Sequence, residues 1–188
     1  MGVKLAAVLM IFVAGVMSAL SIAAAADLLS LDVVREDRHI LVNAEIRVMA
    51  SPAAVYAALI DYDNFSLWSR RYKSSSYIEN APDGSPQARS DIEGCVLFFC
   101  RMVSRVVRLD LQPPEYIRAT ADTTQSDVLF GVEEWWIAPD GDGSVVRYAH
   151  AVEFDFWVPP VIGVWAIKHS LKGDGIRAAE RIEAIANE

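Results

Sequence analysis

The sequence predicts an α+β domain, because its strand-like segments are grouped between helical ones instead of alternating with them. Three observations support this. Residues 145–156 alternate with a period of two, placing Val146, Tyr148, His150, Val152, Phe154 and Phe156 on one side. Arg147, Ala149, Ala151, Glu153 and Asp155 fall on the other, the pattern of an antiparallel sheet with one covered face. After Pro159-Pro160 the period changes: Val164, Ile167, Leu171, Gly175, Ala178, Ile182 and Ile185 form a stripe at helical spacing, with Lys172, Arg177, Glu180, Arg181 and Glu183 outside it. Near the other end, Ser51-Pro52 opens a short helix: Ser51 can cap, and Pro52 stands where a missing N–H costs nothing.

Taken in order, the chain begins with Lys4, a run from Leu5 to Ile22 without charge, and Ala23 to Ala26 before Asp27. A basic start, an apolar run and a small-x-small site (Ala24-x-Ala26) are the three parts of a secretory signal. The expectation is a signal over residues 1–26 and one domain over residues 27–188, working in the periplasm of a bacterium. The competing reading is an uncleaved inner-membrane anchor, since about 18 apolar residues just span a bilayer. The alanine-rich exit suits a peptidase, and no cysteine stands near it to accept a lipid.

Residues 27–188 number 162, a length that suits a single domain. The leading segment holds one lysine and no acid, so its removal takes the net charge from −8 to −9. That balance argues against nucleic acid as a partner, for want of a basic stripe to meet phosphates, and against electrostatic docking on anionic lipid.

Leu31–Arg35 and His39–Met49 read as strands joined at Glu36-Asp37-Arg38. The helix from Pro52 runs to Ile60, and Phe65–Arg70 reads as a second short helix carrying Trp68. Ser74–Glu79, Gln87–Val103, Arg105–Gln112, Tyr116–Asp122 and Leu129–Ile137 read as further strands. Ala81–Ser85, Pro113-Pro114-Glu115 and Pro139–Gly143 supply turns between them. Cys95 and Cys100 can persist as a disulfide in an exported protein. On a straight strand they would face opposite ways, so bridging requires a bend between them; two free buried thiols are the alternative. No second cysteine pair or nearby histidine completes a metal site, and no cofactor is implied.

Val48-Met-Ala-Ser-Pro-Ala-Ala-Val55, Leu59-Ile-Asp-Tyr-Asp63 and Trp68 resemble the START-related (SRPBCC) helix-grip superfamily, also called polyketide cyclase or coenzyme-Q-binding-like. Tyr56 stands where that pattern usually has tryptophan. Pro114–Ile117, Glu134–Pro139, Gly143–Val146 and Val158–Gly163 are similar to its later segments, so the likeness spans about residues 30–186. The resemblance implies a curved antiparallel sheet of six to seven strands gripping the long C-terminal helix, with a cavity between them. It also implies a lipid, sterol, quinone or polyketide-like ligand.

On that reading the expected ligand-facing residues are Trp68, Leu109, Trp135, His150, Val152, Phe154, Val164, Leu171 and Gly175. Each aromatic among them could equally be ordinary core. Gly175 allows either a cavity or close helix–sheet contact. His150 could bond a ligand's polar head or act as a base with Glu133, which shares a face with Trp135 and Ile137. The opposite register would turn Glu134 and Trp136 inward instead. The apolar connector over residues 157–165, flanked by Trp157 and Trp165, could be a pocket lid, a membrane-touching loop or plain packing. Signatures of hydrolases, zinc proteases and phosphate-binding loops are absent. The function expected is that of a carrier for a hydrophobic small molecule, with an enzyme using His150 and Glu133, or a membrane- or partner-docking module, as alternatives.

Overall fold

In the computed structural model, which describes residues 26–96 and 99–186, the chain first forms β1 (Asp27–Glu36) and β2 (His39–Val48). Asp37 turns one into the other with φ 53°, a left-handed conformation that aspartate tolerates. The segment expected as a secretory signal lies outside the described residues apart from Ala26.

Helix α1 (Pro52–Leu59) starts as the sequence predicts: Ser51 Oγ accepts the Ala54 N–H at 3.3 Å, and Pro52 occupies the first turn. A 3-10 turn (Tyr62–Asn64) leads into α2 (Phe65–Trp68). That helix stops short of the expected Arg70 because Ser69 is extended, at φ −134° and ψ 127°. Then come β3 (Tyr72–Ile78), β4 (Gln87–Val96), β5 (Phe99–Gln112), β6 (Tyr116–Ala121), β7 (Val128–Asp140) and β8 (Gly143–Phe154). Helix α3 (Pro160–Ala186) ends the described chain. None of the described helices is long and apolar enough to cross a membrane.

All eight strands form one antiparallel sheet in the order β1-β2-β8-β7-β6-β5-β4-β3. Eight replaces the six to seven expected from the resemblance and equals the number of strand segments read along the chain, since each of them, including the two joined at Asp37, pairs in the sheet. A second boundary also moves. The sequence places a break at Ser104, but the chain reverses between Val96 and Phe99, and Ser104 lies within a continuous β5. Strand β8 likewise ends at Phe154, not Phe156.

The reversal supplies the bend that the two cysteines require. Cys95 and Cys100 stand directly opposite each other on β4 and β5 and are joined as a disulfide. Strand β8 begins beneath the end of β2, where a Cβ on Gly143 would come within 2.5 Å of the Val48 carbonyl oxygen. Glycine is needed there for close approach.

Helix α3 packs on β1 and β2 at one end of the strand order and reaches β4 near the other, so the sheet curves around it. Its predicted stripe faces the sheet down to Ile182, which is buried; Ile185, one turn further, is 49% exposed and leaves the stripe. The buried residues form three separate groups. One joins Val48, Val55, Ile117, Ile137, Ala179 and Ile182 near α1. Another joins Val33, Ile40, Val42, Val103, Val128 and Val152. A third gathers around Tyr62, with Ala88, Val107, Leu109 and Ala119.

Candidate functional site: an apolar cavity with one buried ion pair

Between the sheet and α3 lies a cavity of about 430 Å³, within the range of small-molecule sites. Its wall is mostly aliphatic, with Val42 and Ile46 from β2, Val103 and Val107 from β5, and Val146 and Val152 from β8. Ile167, Leu171, Gly175 and Ala178 supply the α3 side. A Cβ on Gly175 would lie 3.8 Å from Ile46 Cδ1, an ordinary contact. Close helix–sheet packing therefore does not require glycine at this position, and its absent side chain leaves space to the cavity.

Of the expected wall residues, Trp135, His150, Val152, Phe154, Leu171 and Gly175 line the cavity. Two do not. Leu109 is 3% exposed and packs in the group around Tyr62, and Val164 packs against the buried group that holds Val33, Ile40 and Val152. Trp68 lies at the end of α2, and its side chain is outside the described residues.

One polar cluster interrupts this apolar wall. Glu133 on β7 stands opposite His150 on β8 in the strand register, which turns Glu133 inward with Trp135 and Ile137. Glu134 points the other way and accepts hydrogen bonds from Tyr116 Oη at 2.5 Å and Arg118 at 3.1 Å. Arg105 on β5 places Nη1 2.8 Å from Glu133 Oε1, and both side chains are more than nine-tenths buried. Tyr148 Oη donates to the same oxygen at 3.1 Å, and His150 Nδ1 lies 3.7 Å from it. Arg105 also donates to Tyr72 Oη at 3.4 Å. Among the described residues, Arg105 Nε and Glu133 Oε2 are buried without a hydrogen-bond partner, a state most native polar groups avoid.

The electrostatics follow from this packing. Burial works to raise the Glu133 pKa, but Arg105, His150 and the hydrogen bonds from Arg105 and Tyr148 outweigh it and hold the carboxyl well below its ordinary value. Burial depresses the His150 pKa against the pull of Glu133, so the imidazole is neutral at pH 7. Burial likewise keeps the Tyr72 and Tyr148 phenols protonated. Glu133 is thus a poor proton acceptor, because its charge is committed to Arg105. His150 is the one neutral base on the described wall.

Arg105 and Tyr148 are functional candidates that the sequence reading left out. The signal for Arg105 was present: it falls in phase with Val103, Val107, Leu109 and Leu111, on the apolar side of β5. A second charged pair joins the α2–β3 link to the helix. Arg71 and Asp174 both line the cavity and are ion-paired, and Asp174 also engages Arg177. Beyond the cavity, Trp157 is 75% and Trp165 58% exposed, and Trp165 stacks on His169 at 5.5 Å. The side chains of residues 160–162 between them are outside the described residues.

A curved antiparallel sheet holding a long C-terminal helix over an apolar cavity defines a START-like, helix-grip protein. The chain belongs to the family described as polyketide cyclase / dehydrase and lipid transport, whose model matches residues 39–185. No curated protein matches it. Among solved structures, it is similar to a START superfamily protein from Mycobacterium smegmatis at 20% identity and a TM-score of 0.63, covering 77% of this chain and 98% of that one. It is also similar to the Zhui aromatase/cyclase from Streptomyces sp. R1128 (14% identity, TM-score 0.60, 79% and 94% covered). A STAR-related lipid transfer protein from Xanthomonas axonopodis aligns at 13% identity and a TM-score of 0.57, with 81% and 98% covered. At these identities the likeness concerns the fold.

Proposed function

We propose that the protein carries a hydrophobic small molecule in the cavity between its sheet and α3, and that it does so in the periplasm. The observation behind this reading is the cavity itself: about 430 Å³ with an aliphatic wall and one polar cluster, as a site for an amphiphile requires. The family match and the likeness to a lipid transfer protein support it. The location rests on the basic-then-apolar leading segment with its alanine-rich end. Native mass spectrometry of protein purified from its host, or exposed to a lipid extract, is expected to retain an apolar molecule. Repeated recovery of empty protein from both preparations would overturn the reading.

A second reading is favoured by one specific feature, the neutral His150 on the cavity wall, and by the likeness to an aromatase/cyclase. An enzyme acting on a polyketide- or isoprenoid-like substrate would use His150 as its base, with Glu133 holding Arg105 in place. Turnover that is unchanged in His150→Ala would eliminate that assignment. Exposed Trp157 and Trp165 suit transient contact with a membrane during loading. Liposome flotation is expected to weaken in Trp157→Ala, and an unchanged float would remove the contact from the account.

A further inference from the structure

We infer that a pocket just outside the cavity, bordered by Arg35 and Trp157, is a second binding site that holds the anionic oxygen head of the carried molecule. This rests on the carrier reading above and specifies what that carrier takes up.

The site is built where the turn between β1 and β2 lies beside the connector to α3. A pocket of about 330 Å³ is bordered there by Arg35, Arg38, Glu153, Asp155, Phe156 and Trp157. Ile40 and Phe154 line both this pocket and the apolar cavity, so the two spaces meet at those side chains. One amphiphile can therefore keep its tail in the cavity and its head in the outer pocket. Both arginines precede residue 39, where the family match begins, so this polar end belongs to this chain and not to the pattern the family shares.

Charge decides which head fits. Arg38 is matched by Glu153 at 2.6 Å, and Asp155 has Arg101 at 4.0 Å. Arg35 remains. Its Nε donates to the Asp37 carbonyl at 2.9 Å and its Nη1 to the Val158 carbonyl at 2.7 Å, and among the described residues no carboxylate pairs with it. Two of the five N–H groups of a guanidinium are thus committed, both to neutral acceptors, and three are left. The two carbonyls orient the guanidinium before a ligand arrives, and an oriented guanidinium takes a carboxylate or phosphate through paired hydrogen bonds. An ammonium would stand against Arg35, and a hydroxyl would leave its charge unanswered. Phe156 and Trp157 border the same space with apolar surface, beside which such a bond is stronger than in water. Deeper in the cavity no such surplus exists, because Arg105 pairs with Glu133 and Arg71 with Asp174.

The test titrates probes that share one alkyl chain into the purified protein at neutral pH and reads displacement of an apolar fluorescent dye. At least one of the two anions, decanoate or decyl phosphate, is expected to bind tenfold or more tightly than decanol or decylamine, and the tighter one tells a carboxylate head from a phosphate. In Arg35→Gln that margin is expected to vanish, and in Arg35→Lys, which keeps the charge without the fork, part of it to return. A purely structural role for Arg35 at Val158 would weaken every probe alike, so an Arg35→Gln variant that keeps the wild-type ratio overturns the inference. Decanol or decylamine binding within tenfold of both anions also overturns it and leaves the carrier reading intact. Failure of all the probes to displace the dye overturns the inference, and if nothing is retained from lipid extract either, the carrier reading falls with it. The wild-type comparison stands even where a variant fails to fold.

Discussion

Replacing Glu133 by leucine tests how the buried pair is held. The change leaves the Arg105 guanidinium more than nine-tenths buried, with Tyr72 Oη at 3.4 Å as its remaining partner shown, and removes the acceptor of Tyr148 Oη. Stranding one member of a buried pair costs about 3–5 kcal/mol, and the lost phenol bond about 1 kcal/mol more. Set against a domain stability of about 5–15 kcal/mol, Glu133→Leu should bring the protein close to unfolding. The double variant Arg105→Met/Glu133→Leu removes both charges and should lie within about 2 kcal/mol of wild type, because well-packed apolar replacements of such pairs are commonly near neutral. Urea denaturation of wild type, both single variants and the double variant, followed by far-ultraviolet circular dichroism, gives the coupling directly. If the double variant is destabilised by the full sum of the singles, the two groups do not stabilise each other and the reasoning fails.

Three other expectations follow from the same geometry. Glu133 and His150 both have folded pKa values below their unfolded ones, so the unfolded state takes up more protons as the pH falls. The urea midpoint should hold above about pH 6.5, decline below it as unfolded His150 charges, and decline further below about pH 4.3 as unfolded Glu133 protonates; a midpoint that rises on acidification contradicts this. Gly175→Ala should stabilise by about 0.8–1 kcal/mol through helix propensity, because its Cβ meets nothing closer than Ile46 Cδ1 at 3.8 Å; a lower melting temperature in calorimetry would mean that the helix sits tighter than described. Opening the Cys95–Cys100 bridge with a double serine variant should cost about 2 kcal/mol on the chain-entropy view, and no change in urea midpoint would show the hairpin to be self-supporting.

Much of the fold was legible wherever local chemistry and tertiary demand agree. The inward residues of β8, the cap at Ser51 and the stripe of α3 each follow from periodicity or from a capping oxygen. The reversal between Val96 and Phe99 was not legible: Val-Leu-Phe-Phe contains none of the residues that mark turns, and only the facing cysteines hint at it. The break expected at Ser104 is absent: its N–H donates to Asp127 at 2.9 Å inside a continuous strand. In the candidate site, His150 could be singled out as a polar residue on an apolar face. Arg105 obeys the same rule, but recognising it requires Glu133 across the sheet, and the sequence leaves that register open. Leu109 and Val164 showed the opposite limit: periodicity says that a side chain points inward, but not whether it meets a cavity or other side chains.

The three buried groups described above do not merge into one core, because the cavity lies among their side chains. A bound molecule would therefore do more than occupy space: it would be the piece of interior that the polypeptide does not encode, bridging layers that otherwise touch along their margins. Folding and loading then become linked equilibria, and saturation at a hundredfold excess over the dissociation constant adds about 2.7 kcal/mol to stability. Resistance to heat or protease becomes a gauge of cargo. The unladen protein would be the softer of the two forms, and cellular quality control would meet it first.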